Sequence, residues 1–170
     1  MKNNLIIAEN VIVNCRIRFI YFLPLHTEHN SLYSMDMKLI DFLNQNDRFA
    51  AENGAQLVEI SEGYAKATMI VSHRHLNGGN VCQGGALFTL ADLALAAVMN
   101  SHGKLTFGIN NSISFLKSAK EGDSLTAEAC EICNHHRIPY AEVRVTNQNG
   151  ELICVLTGTS YRKDTPLQQP

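Results

Sequence analysis

The stretch that decides the fold is Asn77-Gly-Gly-Asn-Val-Cys-Gln-Gly-Gly-Ala-Leu-Phe-Thr-Leu-Ala-Asp92, which continues as an apolar segment to Asn100. It joins a polar, glycine-rich loop to a helix that is apolar on every side and carries one charge, Asp92. A helix of this kind is normally buried. A buried carboxylate is costly, so it is either satisfied by partners or kept for chemistry. The stretch therefore predicts a central helix from Gly84 to about Asn100 with a carboxylate inside the protein.

The beginning of this helix offers a second chemical group. Gly84 and Gly85 have no side chains, so the first backbone N–H groups of the helix are uncovered. A bare helix N-terminus attracts negative charge and can act as an oxyanion donor. Asp92 follows Gly84 by eight residues, which is about 12 Å along a helix that rises 1.5 Å per residue. The amide and the carboxylate cannot act on one reacting centre from the same helix, because such groups must lie about 3 Å from it.

A two-fold dimer would remove this separation. Two antiparallel copies of the helix would bring Gly84 of one subunit near Asp92 of the other, and the symmetry would do so twice. The sequence therefore leads to the hypothesis of a shared site, two per dimer. In it, Asp92 acts as a general base on water or as a nucleophile through an anhydride, and the sequence leaves both routes open.

The hydrophobic periodicity predicts an α+β architecture, with helices on one face of an antiparallel sheet. A helix is predicted over 36–51, and the last four strands are expected to form a meander. The tail from Lys163, which holds two prolines, is expected to fray. The predicted strands are 56–61, 64–72, 106–117, 125–134, 138–146 and 152–161.

Length and composition indicate one working domain. The chain has 170 residues, 45% of them hydrophobic, and a formal net charge of -2, so nothing indicates a nucleic-acid partner. Five cysteines form no disulfide framework, which is typical of a cytoplasmic protein. The apolar run 17–25 is too short to span a membrane. We expect an extension or a misassigned start over 1–34, the domain over 35–163 and a flexible tail over 164–170.

The glycine-rich string and the later segment Ile113-Ser-Phe-Leu-Lys-Ser-Ala-Lys-Glu-Gly-Asp123 resemble the hotdog-fold acyl-CoA thioesterases, most closely the phenylacetate-degradation (PaaI-type) branch. The resemblance implies a sheet curled around the central helix. It also implies a dimer or tetramer with active sites at the subunit interface. The implied reaction is hydrolysis of an aryl- or medium-chain acyl-CoA thioester, with no metal and no cofactor.

The resemblance also implies roles for individual residues. Asp92 matches the family carboxylate, Gly84 the backbone donor to the thioester carbonyl, and Asn77 a polar residue that places water or substrate. Gln83 stands where the family often has His. Glutamine can orient groups but cannot titrate near neutral pH, so it cannot be the base. Gln83 and Gly85 are expected to contact substrate, as is Ser112 on the strand that borders the acyl pocket.

Other functions remain as alternatives. One is a non-catalytic acyl-CoA binding or sensing module on the same fold. A hotdog dehydratase is disfavoured because Gln83 removes the usual titratable histidine. Cys130-x-x-Cys133 has no second matching pair, and its thiols would point to opposite faces of a strand, which disfavours a metal site. Three cations could meet CoA phosphates: Lys117, Arg137 and Arg162.

Overall fold

Six antiparallel strands curl around one long helix. The computed structural model describes residues 39–167. The strands are β1 (Gln56–Ser61), β2 (Tyr64–Ile70), β3 (Lys104–Phe115), β4 (Ser124–Cys133), β5 (Tyr140–Thr146) and β6 (Leu152–Pro166), and the central helix is Gly84–Asn100. The central helix contacts all six strands. The α+β hotdog architecture expected from the sequence is therefore confirmed.

The central helix has the predicted bounds because its two ends are specified locally. Gln83 is the N-cap, and its side-chain oxygen accepts a hydrogen bond from the Gly85 N–H. At the other end, the buried Asn100 side chain donates to the Thr106 carbonyl oxygen at 3.1 Å and accepts from the Thr106 N–H at 2.9 Å. Gly103, with φ 69°, makes the turn between them. This clasp fixes the start of β3 beside the end of the helix.

The helix is buried on most of its surface but not all round. Leu90, Ala94 and Val98 have no exposed surface and form the centre of the core. The positions that are not buried repeat every three or four residues and so lie on one face. They are Gly84, Gly85, Phe88, Thr89, Asp92 and Ala96. We call these six positions the open face of the helix.

The sheet order is β1-β2-β4-β5-β6-β3, which corrects the predicted four-strand meander. β4, β5 and β6 are neighbours in sequence order, but β3 pairs with β6 and not with β4. The chain from β3 crosses the fold so that β4 pairs with β2 instead. As a result β1 and β3 are the two edge strands of the sheet. The hydrophobic pattern of each strand cannot show this strand order, because the order depends on which sheet edge is free when a later strand pairs.

Two other predictions were wrong in detail. The helix predicted over 36–51 is interrupted at Asp47, whose carboxylate accepts a hydrogen bond from Ala50 N–H at 3.0 Å and begins a new short helix, Arg48–Glu52. The last strand was expected to end near Tyr161 and the tail to fray. Instead β6 continues to Pro166, which pairs with Lys104 of β3. The expectations for 1–34 lie outside the described residues.

A buried charge cluster ties the end of the central helix to the sheet. The His102 ring lies 2.7 Å from Glu131 of β4, and Arg162 of β6 donates to the same carboxylate at 3.0 Å. The side chains of Glu131 and Arg162 are each 5% exposed. Arg162 is therefore committed to this cluster, which corrects the suggestion that it could meet CoA phosphates. Across residues 39–167, no helix is long and apolar enough to cross a bilayer.

Candidate active site at the open face of the helix

A cavity of about 430 Å³ lies at the N-terminus of the central helix. Of the predicted site residues, Asn77 and Gly84 line it. The remaining lining residues are Cys82, Leu87, Phe115, Leu116, Lys117 and Ser118. The lining therefore mixes apolar side chains with polar groups, which come from the loop before the helix (Asn77), from the helix start (Gly84) and from the segment after β3 (Lys117 and Ser118). A concave site with a few polar groups beside apolar side chains can bind a small molecule.

The Gly84 N–H is the one uncovered donor of the two glycines. Among residues 39–167 it has no hydrogen-bond acceptor, whereas the Gly85 N–H is covered by Gln83. The expectation that both amides are free was therefore wrong for Gly85. Phe115 lies directly over Gly84, because a β carbon at Gly84 would be 2.9 Å from the Phe115 Cζ atom. The absence of a side chain at Gly84 is what lets the cavity reach the helix amide.

Asn77 shapes the loop that precedes the helix. Its side-chain oxygen accepts hydrogen bonds from the Gly79 N–H at 2.8 Å and the Val81 N–H at 3.4 Å. Asn80 adopts a left-handed conformation, with φ 56°, which asparagine tolerates better than most residues. The Asn77 oxygen is thus engaged within the loop. Its amide nitrogen is the group left for a ligand in the cavity.

Gln83, Gly85 and Ser112 do not line this cavity within one chain. Gln83 caps the helix, and its backbone N–H donates to the His75 carbonyl at 2.7 Å. Ser112 is exposed on β3, opposite Thr157 of β6. A single chain therefore gathers two of the six predicted site residues in the cavity. The other four lie beside it or along the open face and β3.

Asp92 lies on the open face, two helical turns beyond the cavity. It is partly exposed, and its carboxylate accepts a hydrogen bond of 2.7 Å from Asn111 Nδ2 of β3. Burial raises the pKa of Asp92 above its ordinary value. The Asn111 hydrogen bond acts in the opposite direction, and the negative charge of Asp47 raises the pKa further. A carboxylic acid of raised pKa titrates nearer to neutral pH, as acid–base catalysis requires.

Asn111 was missed in the sequence, although a signal was there. The run Ile109-Asn-Asn-Ser-Ile113 interrupts the apolar alternation of β3 with polar residues. The structure turns Asn111 toward the helix, and this follows a register shift between Gly108 and Asn110. A bulge of this kind re-aims the side chains that follow it.

Two contacts between the central helix and β3 give the relative direction of the two elements. Gly84 meets Phe115, and eight residues later Asp92 meets Asn111, four residues earlier in β3. The helix therefore runs antiparallel to β3. Eight helical residues and four strand residues both span about 12–14 Å. The structure thus keeps the Gly84 amide and the Asp92 carboxylate of one chain apart, as the sequence predicted.

Metal ligands are not gathered at this site. Over residues 39–167, no three or more His, Cys, Asp or Glu side chains come together where they could hold a metal ion.

The histidine nearest in sequence to the glycine-rich loop is buried. His75 lies inside a short 3-10 helix, His73–His75, and is 3% exposed. Burial lowers the pKa of His75, and the charge of Arg74 lowers it further.

Comparisons with known proteins identify the family. The family model of the thioesterase superfamily matches residues 75–154, which include the cavity and the open face. A putative esterase from Archaeoglobus fulgidus is 43% identical over 122 residues, 72% of this chain and 79% of that protein. The chain belongs to the thioesterase superfamily. The match to the string that ends at Asp92 was therefore interpreted correctly from the sequence.

A further relative, compared by sequence and by solved structure, places the chain within that superfamily. Acyl-coenzyme A thioesterase PaaI from Escherichia coli is 34% identical over 69% of this chain and 84% of its own length. The structure of the E. coli PaaI protein superposes with a TM-score of 0.73 at 30% identity, covering 78% of this chain and 99% of that one. The chain is thus a PaaI-type hotdog thioesterase.

A second solved structure carries a ligand. It is smu.793 from Streptococcus mutans bound to acetyl CoA, with a TM-score of 0.64 and 27% identity. The match covers 66% of this chain and 91% of that one.

Proposed function

We propose that this thioesterase hydrolyses acyl-CoA thioesters to a free acid and CoA at sites shared by two subunits. The observation that carries the proposal is the layout of the open face. A free amide at Gly84 opens into the cavity, and a carboxylate of raised pKa, Asp92, lies about 12 Å further along the same face. The name of the E. coli relative and the acetyl CoA in the S. mutans structure support acyl-CoA as the substrate.

The free edge of β3 supports a dimer. Within residues 39–167, β3 pairs with β6 on one side only, and an unpaired edge strand readily pairs with another chain. Four large apolar side chains on β3 and just after it are about half exposed: Phe107, Ile109, Phe115 and Leu116. A second copy that meets this edge across a two-fold axis would cover them. It would also bring the open faces together with opposite directions. We propose a dimer at minimum, and a tetramer of such dimers.

The chemistry of the shared site follows from its two groups. The Gly84 N–H of one subunit donates to the thioester carbonyl oxygen and stabilises the negative charge that develops there. In the general-base route, water attacks the carbonyl carbon, its proton passes to Asp92 of the other subunit, and the C–S bond breaks. The CoA thiolate then takes up that proton.

In the nucleophile route, the Asp92 carboxylate attacks the carbonyl carbon and the thiolate leaves, forming an anhydride. Water then hydrolyses the anhydride to give the free acid, the restored carboxylate and one proton. Incorporation of oxygen-18 from labelled water into Asp92 during a single turnover would support this route. Label found only in the product would support the general-base route.

We infer an aryl or medium-chain acyl group. The apolar part of the cavity lining, from Leu87, Phe115 and Leu116, suits such a group. Lys117 lies at the same cavity and pairs with Glu151, and we propose that its ammonium binds a phosphate of CoA.

Polar contacts to the substrate are proposed for four further residues. Asn77 would contribute its amide nitrogen, and Gln83 and Gly85, which flank Gly84, would contact the substrate from the same subunit as the Gly84 amide. Ser112, next to Asn111 on β3, would contribute from the subunit that supplies Asp92. We place the protein in the cytoplasm, as expected from the composition of the chain.

A thiol-release assay across aryl-, short- and long-chain acyl-CoAs tests the proposal. We expect release from at least one class, and Asp92→Asn should reduce turnover by about 100-fold or more, because a positioned base contributes that much. Activity of the native protein should fall on the acid side at a pH above the ordinary aspartate range, since burial raises the pKa of Asp92. Binding of every acyl-CoA without release would instead favour a non-catalytic binding protein.

A further inference from the structure

Asp92 has one side-chain partner among the described residues, Asn111. The Nδ2 atom of Asn111 donates to Asp92 Oδ1 at 2.7 Å. A donor on this oxygen favours the ionised form of the carboxylate and fixes its plane. The other carboxylate oxygen, Oδ2, has no hydrogen-bond partner within residues 39–167. The pair therefore holds one oxygen and leaves the second available.

The hydrogen bond to Asp92 uses the amide nitrogen of Asn111 and leaves the amide oxygen without a partner among the described residues. Oδ1 of Asn111 is buried without a hydrogen-bond partner, one of only two such side-chain atoms in residues 39–167. An unpaired buried acceptor costs stability, and an apolar residue of the same shape would avoid the cost. Retaining a half-satisfied amide at this point is the pattern of a residue kept for function.

The backbone around Asn111 is shaped to accept the amide. Gly158 of β6 pairs with Asn111, and a β carbon at Gly158 would lie 2.7 Å from Asn111 Oδ1. The same β carbon would also overlap the Leu95 side chain. A glycine at 158 and the register shift before Asn111 are thus two separate features that make room for the side chain and turn it toward Asp92.

We propose that Asn111 is the positioning residue for the Asp92 carboxylate. Its Nδ2 donor keeps Asp92 ionised and turns Oδ2 toward the substrate, where Oδ2 either accepts the proton of water or attacks the carbonyl carbon. Asn111 does not touch the substrate and acts through Asp92 alone. The inference rests on the proposed function, since it assigns a role relative to the reaction at Asp92.

Substitutions at Asn111 test this role. Asn111→Ala removes the donor, and Asn111→Asp keeps the shape while replacing the donor with a like charge. We expect kcat to fall tenfold to a hundredfold in both variants, while KM changes by less than threefold, because substrate contacts are retained. The acid limb of the pH profile should move to higher pH, since the hydrogen bond that lowers the pKa of Asp92 is lost, and it should move further in Asn111→Asp.

An independent readout does not use activity. Carbon-13 NMR of labelled aspartate should show the pKa of Asp92 rising in Asn111→Ala. Asn111→Leu fills the same volume without an orphan oxygen, so it keeps the test open if Asn111→Ala unfolds. The matched control is Asn149→Ala, at an exposed asparagine in the hairpin between β5 and β6, which should change neither kcat nor the acid limb.

The outcomes separate the inference from the proposed function. If Asp92→Asn loses turnover while folded Asn111 variants keep the native kcat and acid limb, Asn111 has no positioning role and the inference is overturned. If Asp92→Asn itself turns over near the native rate, Asp92 is not the essential base or nucleophile, and the proposed function is contradicted whatever the Asn111 variants do. A fall in kcat with an unchanged acid limb and an unchanged Asp92 pKa would also overturn the inference, because it would show that Asn111 does not act through Asp92.

Discussion

Gly84 and Phe115 touch so closely that no side chain fits between them: a β carbon at Gly84 would lie 2.9 Å from the Phe115 Cζ atom. The contact places an aromatic ring against Gly84, whose N–H is the only amide of the first helical turn without an acceptor in residues 39–167. In a single subunit Phe115 is 54% exposed and Cζ is the far end of its ring, so the ring can move aside at little cost to the fold of that subunit. The position of the Phe115 ring therefore affects whether a substrate can reach the Gly84 N–H.

Gly84→Ala should reduce thioesterase activity strongly and stability little. Alanine keeps the backbone N–H, but its methyl group would displace the Phe115 ring, which lines the cavity at this amide. If the displaced ring keeps a carbonyl from the N–H, we expect a loss of about 100-fold, the order found when one oxyanion donor is lost. The melting temperature and the kcat of the purified variant check this directly. Native turnover in a folded Gly84→Ala protein would contradict the role given to the amide.

Asn77→Asp separates the loop role of Asn77 from its substrate role. The new carboxylate can still accept from the Gly79 N–H, so the turn and the melting temperature should be retained. The donor nitrogen is lost and a negative charge faces an anionic substrate, so we expect kcat/KM to fall by about tenfold, the effect of an ordinary charge–charge or hydrogen-bond loss. Native kcat/KM in this variant would show that Asn77 only shapes the loop.

Asp92→Asn should make the protein more stable at neutral pH. Burial raises the pKa of Asp92 in the folded state, so its favourable contribution is fully present below the ordinary aspartate pKa of about 4 and is lost as the pH rises through the raised value. At pH 7.5 the amide variant should gain about 1 kcal/mol, a usual size when a strained functional group is removed. Urea denaturation from pH 4 to 8 measures it, and an advantage that does not shrink toward pH 4 would contradict the burial argument.

Glu131→Gln should destabilise the fold without touching the site. Burial alone would raise the pKa of Glu131, but hydrogen bonds and charges from His102 and Arg162 outweigh it and lower the pKa. Removing one partner of a buried pair costs about 3 kcal/mol. The pKa of Glu131 is lowered in the folded state. The difference in unfolding free energy between the native protein and the variant is therefore present above the unfolded pKa of the glutamate, and it shrinks as the pH falls through the folded pKa.

Glu142→Gln is the matched control for that substitution. Glu142 pairs with Arg144 at 3.2 Å on the surface, where such a pair is worth less than about 1 kcal/mol. Chemical denaturation of both variants at pH 7 gives the comparison. Equal losses in the two would mean that the cluster at the end of the central helix is no stronger than a surface pair.

The parts of the fold that could be predicted are those specified by neighbouring residues. The double glycine and the Asn100 to Gly103 stop fix the central helix, so its bounds were predicted correctly. The partner of β3 could not be predicted, because its pairing with β6 joins segments about 40 residues apart and depends on which edge is free. The break at Asp47 was hidden because its flanking residues continue a helical pattern.

The candidate site shows the same division. Asp92 and Gly84 can be recognised in the sequence, because Asp92 is the one charge of an apolar helix and Gly84 leaves the first turn of that helix without a side chain. The polar run around Asn111 marks an irregular part of β3 in the sequence, but the partner of Asn111 could be found only from the structure, since the register shift that turns it toward the helix is a property of the paired strands. Gly158 likewise gives no signal in the sequence, and its importance follows from the amide and the Leu95 side chain that occupy its space.

The most direct test of the shared site is complementation between two inactive variants. Asp92→Asn and Gly84→Ala chains, carrying different tags, are co-expressed, and the mixed dimers are purified through both tags and assayed for thiol release. One site of each mixed dimer combines a native Gly84 with a native Asp92, so turnover should recover to about half the native value per dimer, because one of two sites is intact. Mixed dimers of Asp92→Asn with Asp92→Ala should stay inactive. Mixed dimers of Asp92→Asn with Gly84→Ala that show no recovery would contradict a site built from an amide of one subunit and a carboxylate of the other.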